Sequence, residues 1–315
     1  MTQPSNPPVL TDRASSWLIV GAGALGQLFA AHLASQRAVT LLGRRDAPST
    51  LGYLTAEGEQ RRIALPRLRL RDWRPSPPPA LVILATKAHD GEAALAELEP
   101  RLDPTTPLLL LQNGFRLQPR LTTCWPGPVL CASTTEAAYR PTSPSTSGEP
   151  AVDVVHAARG HTWIGDLAGE HAELAERIAE TMNEAGLAAS ACADIRRRLW
   201  HKLAINAVIN PLTARYRIPN GELAHPARQR EVTALVGEIS RLMAAEGIEP
   251  PEAGWMALVQ RAIGNSAANQ SSMLQDVLAG RPTERDAILG PLLEAAERHA
   301  LDVPALRALY SSTPG

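Results

Sequence analysis

Lys202, Asn206 and Asn210 fall at four-residue intervals in the segment LWHKLAINAVINPLTA (199–214). On an α-helix, positions i, i+4 and i+8 share one face and advance roughly 6 Å per step. An ammonium and two amides would then stand in line on a helix otherwise built from Leu199, Leu203, Ile205, Val208 and Ile209. Amides on a largely buried helix are costly unless hydrogen-bonded, so the stripe is a candidate for gripping a polar small molecule. A partly desolvated lysine has a lowered pKa and can give a proton to a carbonyl oxygen near neutral pH. Pro211 disfavours helical geometry at the residue before it, which places Asn210 at a kink or a helix C-terminus, where a plain capping role competes with binding.

A second motif calls for a different ligand. Gly21-Ala22-Gly23-Ala24-Leu25-Gly26 is a complete GxGxxG, directly after the apolar run WLIV and directly before the helical pattern ALGQLFAAHLAS. In that setting the first glycine permits a tight turn, the second lets the backbone approach a pyrophosphate, and the third allows close helix–strand packing. The helix N-terminus supplies N–H groups and partial positive charge. This is the opening of a Rossmann domain for a nicotinamide dinucleotide. Where an NAD-selective domain places an acid after its second strand, this chain reads Leu42-Gly43-Arg44-Arg45-Asp46. A guanidinium pairs with a ribose 2′-phosphate and a carboxylate repels it, so Arg44 favours NADPH/NADP+. Arg45 reads equally as an exposed loop charge, and Asp46 lies past both arginines.

Other polar groups stand where strands end. Lys87 follows LVILAT, and Asn113-Gly114 follows PLLLLQ. Ligands of open α/β sheets bind at such carboxyl ends, although Asn–Gly is also plain turn chemistry. Further on, Ser272 and Glu284 lie in SSMLQDVLAGRPTERD. Thr283 with Asp286 resembles a capping box, which makes Glu284 the first helical residue and gives it a bland role as a first-turn acid.

The elements that must position these groups fall into two halves. WLIVG, AVTLLG, LVILAT and PLLLLQ are continuous apolar runs suited to strands buried on both faces of a parallel sheet. Their alternation with helical segments implies right-handed crossovers and a doubly wound α/β domain. VLCASTTEAAY and AVDVVHAARGHTWIG also read as strands, so 141–150, a domain linker by composition, is read instead as a long loop or hairpin arm within the same domain. The six arginines of RRIALPRLRLRDWRPSPPP (61–79) could form an anion patch but read better as one or two solvated edge strands followed by a turn. After Ala193 the strand signals stop, and Val232, Leu235, Val236, Ile239, Leu242 and Met243 trace a buried helical stripe. The predicted division is a disordered leader over 1–15, a dinucleotide-binding domain over 16–193 and an all-α substrate domain over 194–315.

Bulk composition narrows the class. With 44% hydrophobic and 20% charged residues and a formal net charge of −1, the 315-residue chain is globular, with no overall pull toward nucleic acid or anionic membrane. Three cysteines without a CxxC pair and eight histidines without an HExxH predict neither a disulfide framework nor a metal site, and suit a reducing, cytoplasmic setting. No apolar run reaches membrane-spanning length.

GAGALG (21–26), TKAHD (86–90), QNG (112–114), GHTWIG (160–165), LWHKLAINAVINPLTA (199–214) and SSMLQDVLAGRPTERD (271–286) together resemble the ketopantoate reductase family, in that family's order across most of the chain. The resemblance implies NADPH-dependent reduction of the 2-keto group of ketopantoate to D-pantoate, on the way to pantothenate and coenzyme A. It implies that Lys202 is the general acid and that Glu284 takes part in the acid–base site. By the same resemblance Asn206, Asn210 and Ser272 bind substrate oxygens, and Lys87 and Asn113 line the cofactor–substrate crevice. Two positions depart from the family pattern, Glu136 after Thr134-Thr135 and Leu289 before Gly290. They leave the keto acid less defined than the reaction class. A reductase of another branched 2-keto acid and a non-catalytic NADP-binding sensor are the alternatives. The expected partners are a small 2-keto acid and, at most, a second copy of the chain, as monomer or homodimer.

Overall fold

A computed structural model describes residues 15–141 and 151–315. The predicted leader, apart from residue 15, and the loop over 142–150 lie outside the described residues. The chain divides into two units, one of residues 1–112 with 117–195, the other of 113–116 with 196–315.

The first unit is the expected α/β domain. In chain order it contains β1 (Ser16–Val20), α1 (Ala24–Leu33), β2 (Ala38–Gly43), β3 (Thr50–Leu54), β4 (Gln60–Ala64), β5 (Arg67–Arg69), β6 (Leu81–Leu84), α2 (Ala88–Leu98), β7 (Leu108–Leu110), α3 (Leu117–Cys124), β8 (Val129–Thr134), β9 (Ala137–Tyr139), β10 (Val154–Ala158), β11 (Thr162–Gly165), α4 (Ala172–Glu184) and β12 (Ala189–Ala191). Eight strands form one sheet in the order β12-β11-β8-β7-β6-β1-β2-β5. Every neighbouring pair is parallel except β11 with β8. The apolar runs β6, β7 and β8 are buried at every residue, as strands covered on both faces must be. Leu81, Ile83, Leu109 and Leu130 are sealed from solvent, each contributing on the order of 2 kcal/mol. Strand order reverses around β1, which has β2 on one side and β6 on the other. That reversal is the topological switch point where such sheets bind ligands.

Four strands form a separate sheet, β4-β3-β10-β9, in which the β3–β4 pair meets β10 from a hundred residues downstream. The arginine-rich stretch behaves largely as its composition predicts, since exposed β4 edges this sheet and β5 edges the larger one. Arg67 departs from the solvated pattern. Its side chain is only 7% exposed and grips Asp153 at 3.1 and 3.4 Å, while Asp153 also accepts the Gly52 N–H at 2.9 Å. α4, which the sequence reading leaves unassigned, buries Leu174, Ile178 and Met182, spaced four apart.

The second unit is all helical: α5 (Ile195–Tyr216, its first residue counted with the first unit), α6 (Pro226–Ala245), α7 (Gly254–Asn265), α8 (Ser272–Leu278), α9 (Arg285–Arg298) and α10 (Pro304–Ser312). The predicted stripe of α6 is buried at all six positions. Glu238, buried on the same helix, accepts the Ala305 and Leu306 N–H groups, both at 2.8 Å. A carboxylate there satisfies two first-turn donors of α10 and complements its dipole. Glu238→Ala is therefore expected to cost about 2–4 kcal/mol, because two amide donors lose their partner where water reaches poorly. Urea unfolding measures this, and a change below about 0.5 kcal/mol would refute the capping role.

Two local expectations need correction. Of the two places read for Asn210, a kink or a helix C-terminus, the second is excluded, because α5 continues through Pro211 to Tyr216. Pro211 removes one backbone donor, but the next turn is held by the Thr213 hydroxyl, which bonds the Ile209 and Asn210 carbonyls at 2.7 and 3.1 Å. Burial of Ile209, Leu212 and Ala214 keeps the segment helical against its local preference. At α9, the Thr283 hydroxyl accepts the Arg285 N–H at 3.2 Å, half of the predicted capping box. The other half does not form, because Asp286 bonds Arg285 and Tyr310 instead, and the helix proper begins one residue later, at Arg285.

Candidate active site

In the first unit the glycine loop leaves β1 and enters α1. Gly21 has φ +115°, and a Cβ there would lie 2.6 Å from Ala85 C and Thr86 N at the end of β6. A Cβ at Gly26 would collide with the Gly21 carbonyl oxygen, whereas one at Gly23 would meet nothing within 4 Å. Gly21 and Gly26 are thus fixed by packing, and Gly23 opens space in front of the α1 N-terminus. That terminus has no side-chain cap, so its donors suit a pyrophosphate. The loop Gly21, Ala22, Gly23, Ala24, Leu25, Gly26 fits a dinucleotide on these grounds.

The groups after β2 are mutually paired. Exposed Arg44 forms an ion pair with Asp90 on α2, and Asp46 forms one with Arg69 at the end of β5. Lys87 sits at the carboxyl end of β6, where its carbonyl accepts the Asp90 N–H at 3.0 Å at the start of α2. Gln112 bonds the Thr86 hydroxyl at 3.2 Å, tying the ends of β6 and β7.

In the second unit, α5, α9 and the four-residue segment 113–116 assemble a polar cluster. Glu284, at the N-cap of α9, is buried and accepts the Asn113 Nδ2–H at 3.1 Å. Gly114, at φ +85°, lies so close to α9 that a Cβ would strike the Ala287 carbonyl oxygen. Phe115 donates its N–H to that oxygen at 3.3 Å and packs its ring 5.1 Å from Trp200 on α5. Arg116 pairs with Glu294. Asn113 is thereby presented to Glu284 by the contacts of the three residues that follow it.

Burial pulls the Lys202 ammonium down to about 8, partly opposed by the Glu284 carboxylate, which favours the charged form. An amine so placed is mostly protonated at neutral pH and able to release that proton. Asn206, half-buried, and Asn210, buried, follow on the next two turns of α5. The structure thus joins Lys202, Glu284 and Asn113, with the two asparagines in line on Lys202's helix. Ser272 is not linked to them among the described residues. It is exposed in the first turn of α8, while its neighbour Ser271 is buried, capping Leu274 N–H at 3.1 Å and meeting Thr213 Oγ1 at 2.7 Å. Among the described residues no group of three or more His, Cys, Asp or Glu is placed to hold a metal, and no helix is long and apolar enough to cross a membrane.

The model of the family described as "Ketopantoate reductase PanE/ApbA" matches residues 17–169, and that described as "Ketopantoate reductase PanE/ApbA C terminal" matches residues 194–313. The chain belongs to the ketopantoate reductase family. A 2-dehydropantoate 2-reductase of Vibrio cholerae is 34% identical over 297 residues, covering 93% of this chain and 95% of that one. Among solved structures, a ternary complex of D-mandelate dehydrogenase with NADH and anilino(oxo)acetate shares the fold at TM-score 0.84 and 22% identity, covering 94% and 96% of the two chains. A dimeric ketopantoate reductase of Staphylococcus aureus shares it at TM-score 0.76 and 24% identity, covering 94% and 96%.

One set of buried titratable groups in this ketopantoate reductase family member escaped the sequence reading. His32 Nδ1 lies 2.9 Å from the Ala185 carbonyl and its Nε2 lies 2.7 Å from Tyr53 Oη. Tyr53 Oη is 3.2 Å from His156 Nδ1, and His156 Nε2 is 2.6 Å from Glu136 Oε2. A carbonyl only accepts, so His32 Nδ1 carries hydrogen. Burial lowers the His32 pKa, which leaves Nε2 free to accept from the tyrosine hydroxyl. The tyrosine oxygen then accepts from His156 Nδ1–H, and one more proton lies between His156 Nε2 and Glu136. Glu136 is therefore one end of a satisfied, largely buried chain across α1, β3 and β10. Its one sequence signal is a histidine facing inward in the apolar strand VVHAA.

Proposed function

We propose that this family member reduces ketopantoate to D-pantoate with NADPH, as a soluble cytoplasmic enzyme of pantothenate and coenzyme A synthesis. The observation that carries this reading is Lys202, held near a pKa of 8 beside a buried carboxylate that is itself fixed by Asn113. Bound at the glycine loop, the nicotinamide cofactor supplies the hydride. Lys202 Nζ gives a proton to the carbonyl oxygen as that oxygen gains charge, and the resulting amine regains a proton from solvent. Glu284 favours the ammonium form and keeps Asn113 in place. Asn206, Asn210 and Ser272 offer polar groups to the substrate's hydroxyl, carbonyl and carboxylate oxygens. Lys87 and Asn113 serve the cofactor side, and the dimeric S. aureus relative favours a homodimer.

The 2′-phosphate assignment rests on Arg44. Arg44→Ala is expected to weaken NADPH about tenfold or more, since a charge-assisted hydrogen bond is worth about 1.5–3 kcal/mol, and to leave NADH nearly unchanged. Fluorescence titration with both cofactors checks this, and equal losses would remove Arg44 from the phosphate site. The fold shared with a mandelate dehydrogenase favours a second reading, reduction of an aromatic 2-keto acid. Steady-state oxidation of NADPH and NADH with ketopantoate and with benzoylformate separates the two. A higher kcat/KM for benzoylformate would displace the pantoate assignment, and no turnover with any 2-keto acid would favour a cofactor-binding sensor.

A further inference from the structure

Cofactor choice in a Rossmann domain is made just past the second strand, where a carboxylate binds a ribose 2′-hydroxyl and repels a 2′-phosphate. This chain does carry a carboxylate there, Asp46, alongside Arg44 and Arg45. The architecture answers the conflict from another strand. β5 runs parallel to β2 at the sheet edge, and Gly43, the last residue of β2, has Arg69 as its register partner. Arg69 is thereby delivered to the carboxyl end of β2, and it forms the ion pair with Asp46. The Arg69 side chain is 34% exposed and its Nε is buried without a hydrogen-bond partner, so the stem is packed and only the outer nitrogens reach the rim. Asp46 is more exposed, at 68%, and goes where its partner holds it. On the other side, Asp90 takes Arg44. Arg44 and Arg69 are thus each paired with a carboxylate around the end of β2.

We propose that Arg69 is a specificity-determining residue for the phosphorylated cofactor, acting by holding Asp46 so that no uncompensated carboxylate faces the ribose 2′ position. The inference rests on the NADPH reading above and adds to it a residue that never has to touch the phosphate. Without Arg69, Asp46 is a bare carboxylate beside the site, repelling a dianionic phosphate and accepting a hydrogen bond from a 2′-hydroxyl. The same substitution therefore weakens the phosphorylated cofactor alone, and removing the Asp46 charge reverses the loss, which loss of a phosphate contact alone does not allow.

The test is equilibrium binding of NADP+ and NAD+ without substrate, by calorimetry on the full chain. Arg69→Gln is expected to weaken NADP+ about tenfold while leaving NAD+ equal or tighter. Adding Asp46→Asn to that variant is expected to restore NADP+ affinity to within about threefold of the original protein. NAD+ binding serves as the internal check that the variants fold. If the unsubstituted protein binds NAD+ as tightly as NADP+, the NADPH reading itself falls. If it prefers NADP+ and Arg69→Gln leaves the ratio unchanged, or the double variant shows no recovery, only the role of Arg69 is overturned.

Discussion

Lys202→Ala is expected to lower kcat for 2-keto-acid reduction by about 10²–10⁴-fold, the usual contribution of a positioned proton donor, with NADPH affinity nearly unchanged. Two further measurements separate proton donation from simple packing. Lys202 is pulled down to about 8 by burial, so the proton-donating form predominates below that pH and is depleted above it. The kcat/KM for reduction is therefore expected to be level through neutrality and to fall about tenfold per unit well above pH 8. The reverse oxidation, which needs the neutral amine, rises over the same range. Lys202→Arg keeps a cation in place but cannot release its proton at these pH values, so it is expected to bind cofactor and remain nearly inactive. An Arg variant with more than about a tenth of the original kcat, or a pH profile flat to pH 10, would show that another group donates the proton.

The second large effect concerns stability. Glu136 and His156 have side chains only 2% and 1% exposed, and removing either leaves its partner buried without compensation. Glu136→Ala is expected to destabilise the protein by about 3–5 kcal/mol, enough to lower Tm by roughly 10 °C. The loss should not be additive with His156→Phe, since replacing both members with apolar groups removes the stranded polar atom as well as the interaction. The double variant Glu136→Ala/His156→Phe is thus expected to recover at least half of the Glu136→Ala loss. A double-mutant cycle by thermal and urea unfolding checks this. Strict additivity would mean that the pair contributes no coupling, and the hydrogen-bonded chain from Glu136 to His32 would then have no energetic standing.

What the sequence disclosed depended on how local each cause is. The core strands of the large sheet were legible because strands buried on both faces leave unbroken apolar runs such as LVIL and VLCAST. The glycine loop was legible because the motif and its strand–helix setting are contiguous in the sequence, although the neighbours that constrain Gly21 are Ala85 and Thr86 at the end of β6. α5 beyond Pro211 was misjudged because a local backbone preference was outweighed by burial and by the Thr213 hydroxyl, neither visible in spacing. The smaller sheet joins β3 to a strand a hundred residues away, so nothing in either segment announces the other. The Glu136–His156 pairing spans only 20 positions, but neither helical nor strand period links the two residues. In the site, the line of Lys202, Asn206 and Asn210 followed from helical period, but the bond between Asn113 and Glu284 spans 171 positions and had only the family resemblance to suggest it. Of the two serines before Met273, spacing could not tell which one the α8 cap would consume.

The placement of residues 113–116 bears on how this protein can be dissected. The chain leaves the α/β unit after Gln112, spends four residues with the helical unit, and returns at Leu117 before leaving again after Ile195. The helical unit is therefore not a contiguous piece of the polypeptide. A fragment cut at the second crossing would contain Lys202 and Glu284 but not the amide that holds Glu284, and the Ala287 carbonyl and the Trp200 ring would lose the backbone and ring that cover them. A single cut in the polypeptide therefore cannot release the helical unit whole, because residues 113–116 would stay behind.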